Sequence, residues 1–151
     1  MPNPHDTEIR ASRGTEEYPA LVDIWRSAVR ATHDFLDESD FARIEGSLAA
    51  LHFPVVTLLV AERRGVPVGF AGVADGNLEM LFVTDDARGT GVGTALLRAT
   101  IADLGVRAVD VNEQNPGALG FYLHHGFTQV GRDDLDGDGR PYPILHLQLQ
   151  P

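Results

Sequence analysis

Residues 88–93 read Arg-Gly-Thr-Gly-Val-Gly, between an apolar run that ends at Val83 and a stretch of helical periodicity that begins at Gly93. Glycine lets the backbone take positive φ and come close to a ligand, and a helix N-terminus adds partial positive charge through its unpaired N–H groups. Strand, glycine loop and helix in that order suit a pyrophosphate, so a phosphorylated cofactor is the expected ligand. A Walker loop is excluded, because it needs a lysine and the chain has none. A dinucleotide fingerprint would want its glycines straight after the strand, a third glycine at position 94 and an acid about 20 residues on. Asp110 fits the acid, but Thr94 stands where that glycine should be and residues 84–87 intervene.

A second segment narrows the choice. After a strand-like 106–111 comes Asn112-Glu113-Gln114-Asn115-Pro116-Gly117-Ala118-Leu119-Gly120-Phe121-Tyr122, and then Gly126-Phe127. With Arg-x-x-Gly-x-Gly before it, this order resembles the motifs of the GCN5-related N-acetyltransferases, the GNAT family, which binds acetyl-coenzyme A. The run 21–36, with Trp25, Thr32, His33, Asp34 and Phe35, and the tail Gly139-Arg140-Pro141-Tyr142-Pro143 extend the likeness over nearly the whole chain, toward small stand-alone bacterial members. The resemblance implies acetyl-coenzyme A as acetyl donor and direct transfer to an amine, with protein lysine as acceptor; a small amine or an N-terminal amine is the alternative. It also implies an α+β fold: a mixed central sheet, flanked by helices, whose parallel strands splay at the cofactor site.

Carried over residue by residue, the resemblance sets Leu81, Phe82 and Val83 along the pantetheine arm, where unpaired strand N–H and C=O groups can bond its amides. It sets Arg88, Gly89, Thr90, Gly91, Val92, Gly93 and Thr94 at the pyrophosphate. Asn115 precedes Pro116, which by itself reads as a helix N-cap, and the family adds a cofactor contact. Tyr122 takes the place of the family's general acid. Expulsion of a thiolate whose parent thiol has a pKa of about 8.5 is helped by a phenol that can protonate the sulfur. Without the motif, Tyr122 reads as a core residue sharing a stripe with Ala118 and Leu119.

A lysine-type acceptor, with a pKa of about 10.4, must also lose a proton before attack. Glu79 is one candidate base, on the strand entering the glycine loop and on the same side as Leu81 and Val83 if alternation holds. His33, in the loop after the first helix, is the other. Trp25 and Phe35 are candidate walls of the acceptor site, though as apolar residues they suit a core equally. A non-catalytic acyl-coenzyme A sensor would keep residues 88–93 but need neither Tyr122 nor an open acceptor cleft.

Two other groupings carry no metal chemistry. Asp134, Asp136, Asp138 and Gly139 match the start of a calcium loop, but Leu145 stands where its bidentate Glu belongs. His124 and His125 are adjacent on a helix, so their side chains diverge. No metal is expected.

Twelve basic against 22 acidic residues give a net charge of −10, which repels nucleic acid and anionic membranes and attracts a cationic amine. With no cysteine, disulfides, thiolate metal sites and a cysteine-bound acetyl are excluded. The 151 residues suit one domain, 1–151. Residues 1–10 carry no leader pattern and no apolar run spans a bilayer, so a cytoplasmic protein is expected. The family resemblance leaves a homodimer open.

The elements that must position these residues follow the order β-α-α-β-β-β-α-β-α-β-β. Strands are expected at 8–12, 55–62, 66–73, 78–83, 106–111, 127–132 and 144–149, the second to fourth joined by turns at Arg64-Gly65 and Asp75-Gly76-Asn77. Thr15 is the expected cap of a first helix buried through Leu21, Ile24, Trp25 and Ala28. Ser39 is that of a second, with Phe41, Ile44, Leu48 and Leu51 on one stripe. Helices at 93–104 and 117–125 complete the pattern, Gly105 ending the former.

Overall fold

The computed structural model describes residues 6–151; the first five residues of the expected 1–151 unit, and of the 1–10 stretch, lie outside them. The strands are β1 (Glu8–Ala11), β2 (Thr57–Arg63), β3 (Val66–Ala74), β4 (Asn77–Val83), β5 (Ala108–Asn112), β6 (Phe127–Asp133) and β7 (Ile144–Leu149). The helices are α1 (Tyr18–Thr32), α2 (Glu38–Ser47), α3 (Val92–Leu104) and α4 (Pro116–His124). The expected order of elements is present. The sheet runs β1-β2-β3-β4-β5-β7-β6, with β4 and β5 parallel and every other neighbouring pair antiparallel.

Two hairpins register the first half. Arg64 and Gly65 have φ of 53° and 76°, and Asp75 and Gly76 have 51° and 77°, the paired positive angles that match the right-handed twist of the flanking strands. Between β4 and β5 the pairing stops early: Asn77 faces Ala108 and Leu78 faces Val109, with no pairing beyond. From there the strands splay, as the family resemblance implied. The edge of β4 from Leu81 to Val83 is left without strand partners on the β5 side.

The core has a layer on each face of the sheet. Leu96, Leu97, Val92 and Val106 pack with Val109, Val111, Tyr122 and Leu147 on the side of α3 and α4, and Leu21, Trp25, Phe41 and Phe53 pack with Val60, Phe70 and Met80 on the side of α1 and α2. A Cβ on Gly69 would meet Val92 Cγ1 at 3.0 Å and Leu96 Cδ1 at 3.1 Å, so glycine there lets the start of α3 lie down on β3. That contact fixes the height of the loop leading into α3.

Three local expectations are corrected. Thr15 does not cap α1: residues Thr15–Glu17 form a short 3-10 turn, and Glu17 is held by Arg10 and the Arg13 N–H. Asp37, not Ser39, caps α2, its carboxylate accepting the Asp40 N–H at 2.8 Å while Ser39 donates to the same oxygen. Leu51 leaves the apolar stripe and is 65% exposed, because the chain widens into a π turn over Leu48–His52 ahead of Pro54.

Candidate active site

The loop between β4 and α3 is held from below and open above. Thr90 donates to the Ala87 carbonyl at 2.5 Å, and Arg63 of β2 bonds both the Thr90 hydroxyl (2.8 Å) and its carbonyl (2.9 Å). Gly91, at the N-cap of α3, has φ of 96° and no side chain caps the helix. The first N–H groups of α3 therefore face outward unsatisfied, the arrangement that receives phosphate oxygens. Side chains added at Gly89 or Gly91 would meet nothing within 4 Å, so space stands beside those donors. Arg88 is exposed, with its guanidinium 3.6 Å from Asp85.

A cavity of about 680 Å³ opens from this loop into the gap between β4 and β5. Leu81, Phe82, Val83, Arg88, Gly89, Gly91, Gly93 and Thr94 line it, with Asn115, Ala118, Phe121 and Tyr122 on the α4 side and Ala28, Thr32 and His33 on the α1 side. Its size falls within the range of small-molecule sites, roughly 300–1,000 Å³. A diphosphate fits the uncapped helix end and an amide-bearing arm fits the free edge of β4, so these residues suit coenzyme A. Among the described residues no group of three or more His, Cys, Asp or Glu is placed to hold a metal ion.

The remaining calls divide by location. Thr90 and Val92 turn their side chains away, Thr90 into the hydrogen bonds above and Val92 into the core at 1% exposure. Asn115 caps α4, its side chain accepting the Ala118 N–H at 3.2 Å, and also lines the cavity. Tyr122 is buried with its ring against Phe121 and Phe127, and its hydroxyl makes no hydrogen bond to any described residue. Burial pushes that phenol well above its usual value, so it stays protonated at neutral pH.

His33 lies across the cavity at the end of α1, its N–H on the Val29 carbonyl, and burial lowers its imidazole below the ordinary value despite the opposing charge of Asp34. Glu79 does not reach this cavity. The register changes from Gly72 facing Met80 to Val73 facing Leu78, so Glu79 bulges out of the ladder. It lines a separate depression with Trp25, His52, Met80 and Phe82, and the expected shared side with Leu81 and Val83 is lost. Trp25 is a core residue at 3% exposure, its ring packed at a tilt against Phe41. Phe35 lies outside the lining, between the rings of His33 (5.1 Å) and Tyr142 (6.1 Å).

Three residues gain a place that sequence reading did not give them. Arg63 braces the glycine loop from β2, a contact across 27 positions that no local pattern announces. Thr32 bonds the imidazole of His33, and only their adjacency hinted at it. Tyr142, in the loop joining β6 to β7, donates to the buried Asp40 at 2.5 Å and ties that loop to the start of α2.

Comparison with known proteins agrees with this geometry. Residues 54–129 match the family model described as an acetyltransferase (GNAT) domain. The chain is 41% identical, over 92% of its length and 94% of the relative's, to the peptidyl-lysine N-acetyltransferase YjaB of Escherichia coli strain K12. The solution structure of apo YjaB from Escherichia coli superposes with a TM-score of 0.86 at 39% identity, covering 95% of this chain and 97% of that one. At 17% identity, the PaiA N-acetyltransferase of Thermoplasma acidophilum, crystallised with coenzyme A, shares the fold with a TM-score of 0.74, over 96% of this chain and 99% of that one.

Proposed function

The chain belongs to the GNAT acetyltransferase family and is an N-acetyltransferase, and from that premise we propose that it transfers acetyl from acetyl-coenzyme A directly to lysine side chains of proteins. The observation that carries this reading is the single cavity that joins the uncapped end of α3 to the buried phenol of Tyr122, with the end of α1 as its far wall. Acetyl-coenzyme A supplies an acetyl group activated as a thioester.

The chain's own residues do the rest. The first N–H groups of α3, with Arg88 beside them, hold the diphosphate, and the free edge of β4 from Leu81 to Val83 orients the arm. Tyr122 keeps its proton until a sulfur leaves and then donates it from the hydroxyl. Its raised pKa does not disqualify it, because the same desolvation raises the thiol that receives the proton. No cysteine is present to carry the acetyl group, so the amine attacks the bound thioester itself. Lysine as acceptor is supported by the activity named for the 41% identical relative and by the net charge of −10, which draws cationic segments. We assign the whole chain to one catalytic unit acting in the cytoplasm.

The test is a thiol-release assay with acetyl-coenzyme A against a lysine-rich protein, peptides with free and blocked N-termini, and small amines, with mass spectrometry locating the added acetyl. Internal lysines should carry it. Acetylation confined to N-termini or small amines would move the acceptor class. Tight coenzyme A binding with no release on any amine would make the protein an acyl-coenzyme A sensor.

A further inference from the structure

A lysine enters the site as an ammonium ion, and something must take its proton. The two histidine nitrogens of His33 are in different situations. Thr32 Oγ donates its only proton to the Ala28 carbonyl at 2.8 Å, an oxygen that can only accept. The same Oγ lies 2.8 Å from His33 Nδ1. With the threonine proton on that carbonyl, the assignment the 2.8 Å approach favours, Nδ1 is the donor, the ring is the Nδ1–H tautomer and Nε2 carries the lone pair. Nε2 has no hydrogen-bond partner among the described residues, and His33 lines the cavity together with Tyr122.

We propose that His33 is the base that takes the proton from the acceptor amine at Nε2, and that Thr32 is the residue that positions it by fixing the tautomer. This rests on the transferase reading above. The surroundings suit the task. The ring is neutral at rest, and the C-terminal end of α1, where it sits, is the negative end of the helix and stabilises the imidazolium once formed. Asp34 beside it in the chain does the same, while Arg88 across the cavity and Tyr122 on α4 are the other charged or titratable groups in the lining.

The protons balance. The nitrogen of R–NH₃⁺ loses one proton to Nε2 and on to solvent. It then forms the C–N bond as the C–S bond breaks, and loses a second proton that offsets the one Tyr122 gives to sulfur. The net yield is amide, thiol and one proton. Glu79 is not placed for this role, since it opens onto the other depression.

The experiment measures acetylation of an N-blocked lysine peptide across pH for wild type, His33→Gln, Thr32→Val and Thr32→Ser, with coenzyme A affinity measured for each. His33→Gln should lower kcat/KM near pH 7 by roughly 10²-fold with coenzyme A affinity unchanged. Its rate should keep climbing with pH toward the amine's own pKa, where the wild-type rate levels off above the histidine titration. Thr32→Val should lose part of that activity and Thr32→Ser recover it. Nitrogen-15 NMR of the imidazole should show Nδ1–H in the wild type and a mixture in Thr32→Val. An unchanged rate and pH profile in His33→Gln, or an Nε2–H ring in the wild type, would overturn the proposal. A wild type that acetylates no amine would instead sink the transferase reading, and the NMR result would still decide the Thr32–His33 pair.

Discussion

Two helix ends meet at the cavity, and they are built in opposite ways. The N-terminus of α3 is a backbone device: Gly91 sits at φ 96°, no side chain caps it, and its donors are peptide N–H groups. The C-terminus of α1 is a side-chain device, in which Thr32 and His33 are tied to each other and to a helix carbonyl. The first offers partial positive charge, which suits an anionic cofactor, and the second partial negative charge, which suits a cationic acceptor. Every member of a fold can share a backbone device, because it recognises the part of the donor that never changes. Acceptor chemistry falls to side chains, which vary without disturbing the helix that carries them.

Breaking the backbone end should produce the largest effect on cofactor binding. Gly91→Val forces a β-branched residue into the left-handed region, which costs on the order of 1–3 kcal/mol. Coenzyme A affinity measured by calorimetry should fall at least about tenfold, and an unchanged Kd would show that the loop conformation is not what holds the cofactor. Damage behind the other end should leave that Kd alone. Tyr142→Phe removes the hydroxyl that donates to buried Asp40 and accepts the Asp37 N–H, so stability to urea should drop by about 1–3 kcal/mol. Turnover should fall with it while coenzyme A still binds. The smallest effect is expected at Arg88→Ala. That guanidinium is exposed and close to Asp85, so affinity should weaken only a few-fold at low salt and not at all at high salt. A large loss would mean the side chain, not the backbone, dominates the phosphate end.

The same contrast explains what could be read from the sequence. The α3 end was legible because a positive-φ turn into a helix leaves glycines in the chain, and the hairpins were legible through Arg64-Gly65 and Asp75-Gly76 for the same reason. The order of elements followed from periodicity. The cap of α2 and the path of Leu51 escape the sequence pattern because Asp37 competes with Ser39 for one role and because the π turn rewinds the stripe. Glu79 illustrates the deeper limit: alternation assigns a side only while register is unbroken, and the bulge opposite Gly72 and Val73 is set by strand pairing. Arg63 and Tyr142 act through contacts between distant parts of the chain, and Thr32 through a hydroxyl whose partners its adjacency to His33 does not choose, so their residue types alone say nothing of these roles.

Direct passage of acetyl across this cavity, with Tyr122 as the proton donor, is what joins the two helix ends in one reaction. It is tested most directly by comparing wild type with Tyr122→Phe for thiol release from acetyl-coenzyme A in the presence of an N-blocked lysine peptide, alongside the coenzyme A Kd of each. With Tyr122 as the donor, release in the wild type depends on the peptide, the variant loses roughly 10²-fold or more in kcat, and the Kd values stay nearly equal. Equal turnover in the two proteins, with the peptide acetylated by both, would contradict it.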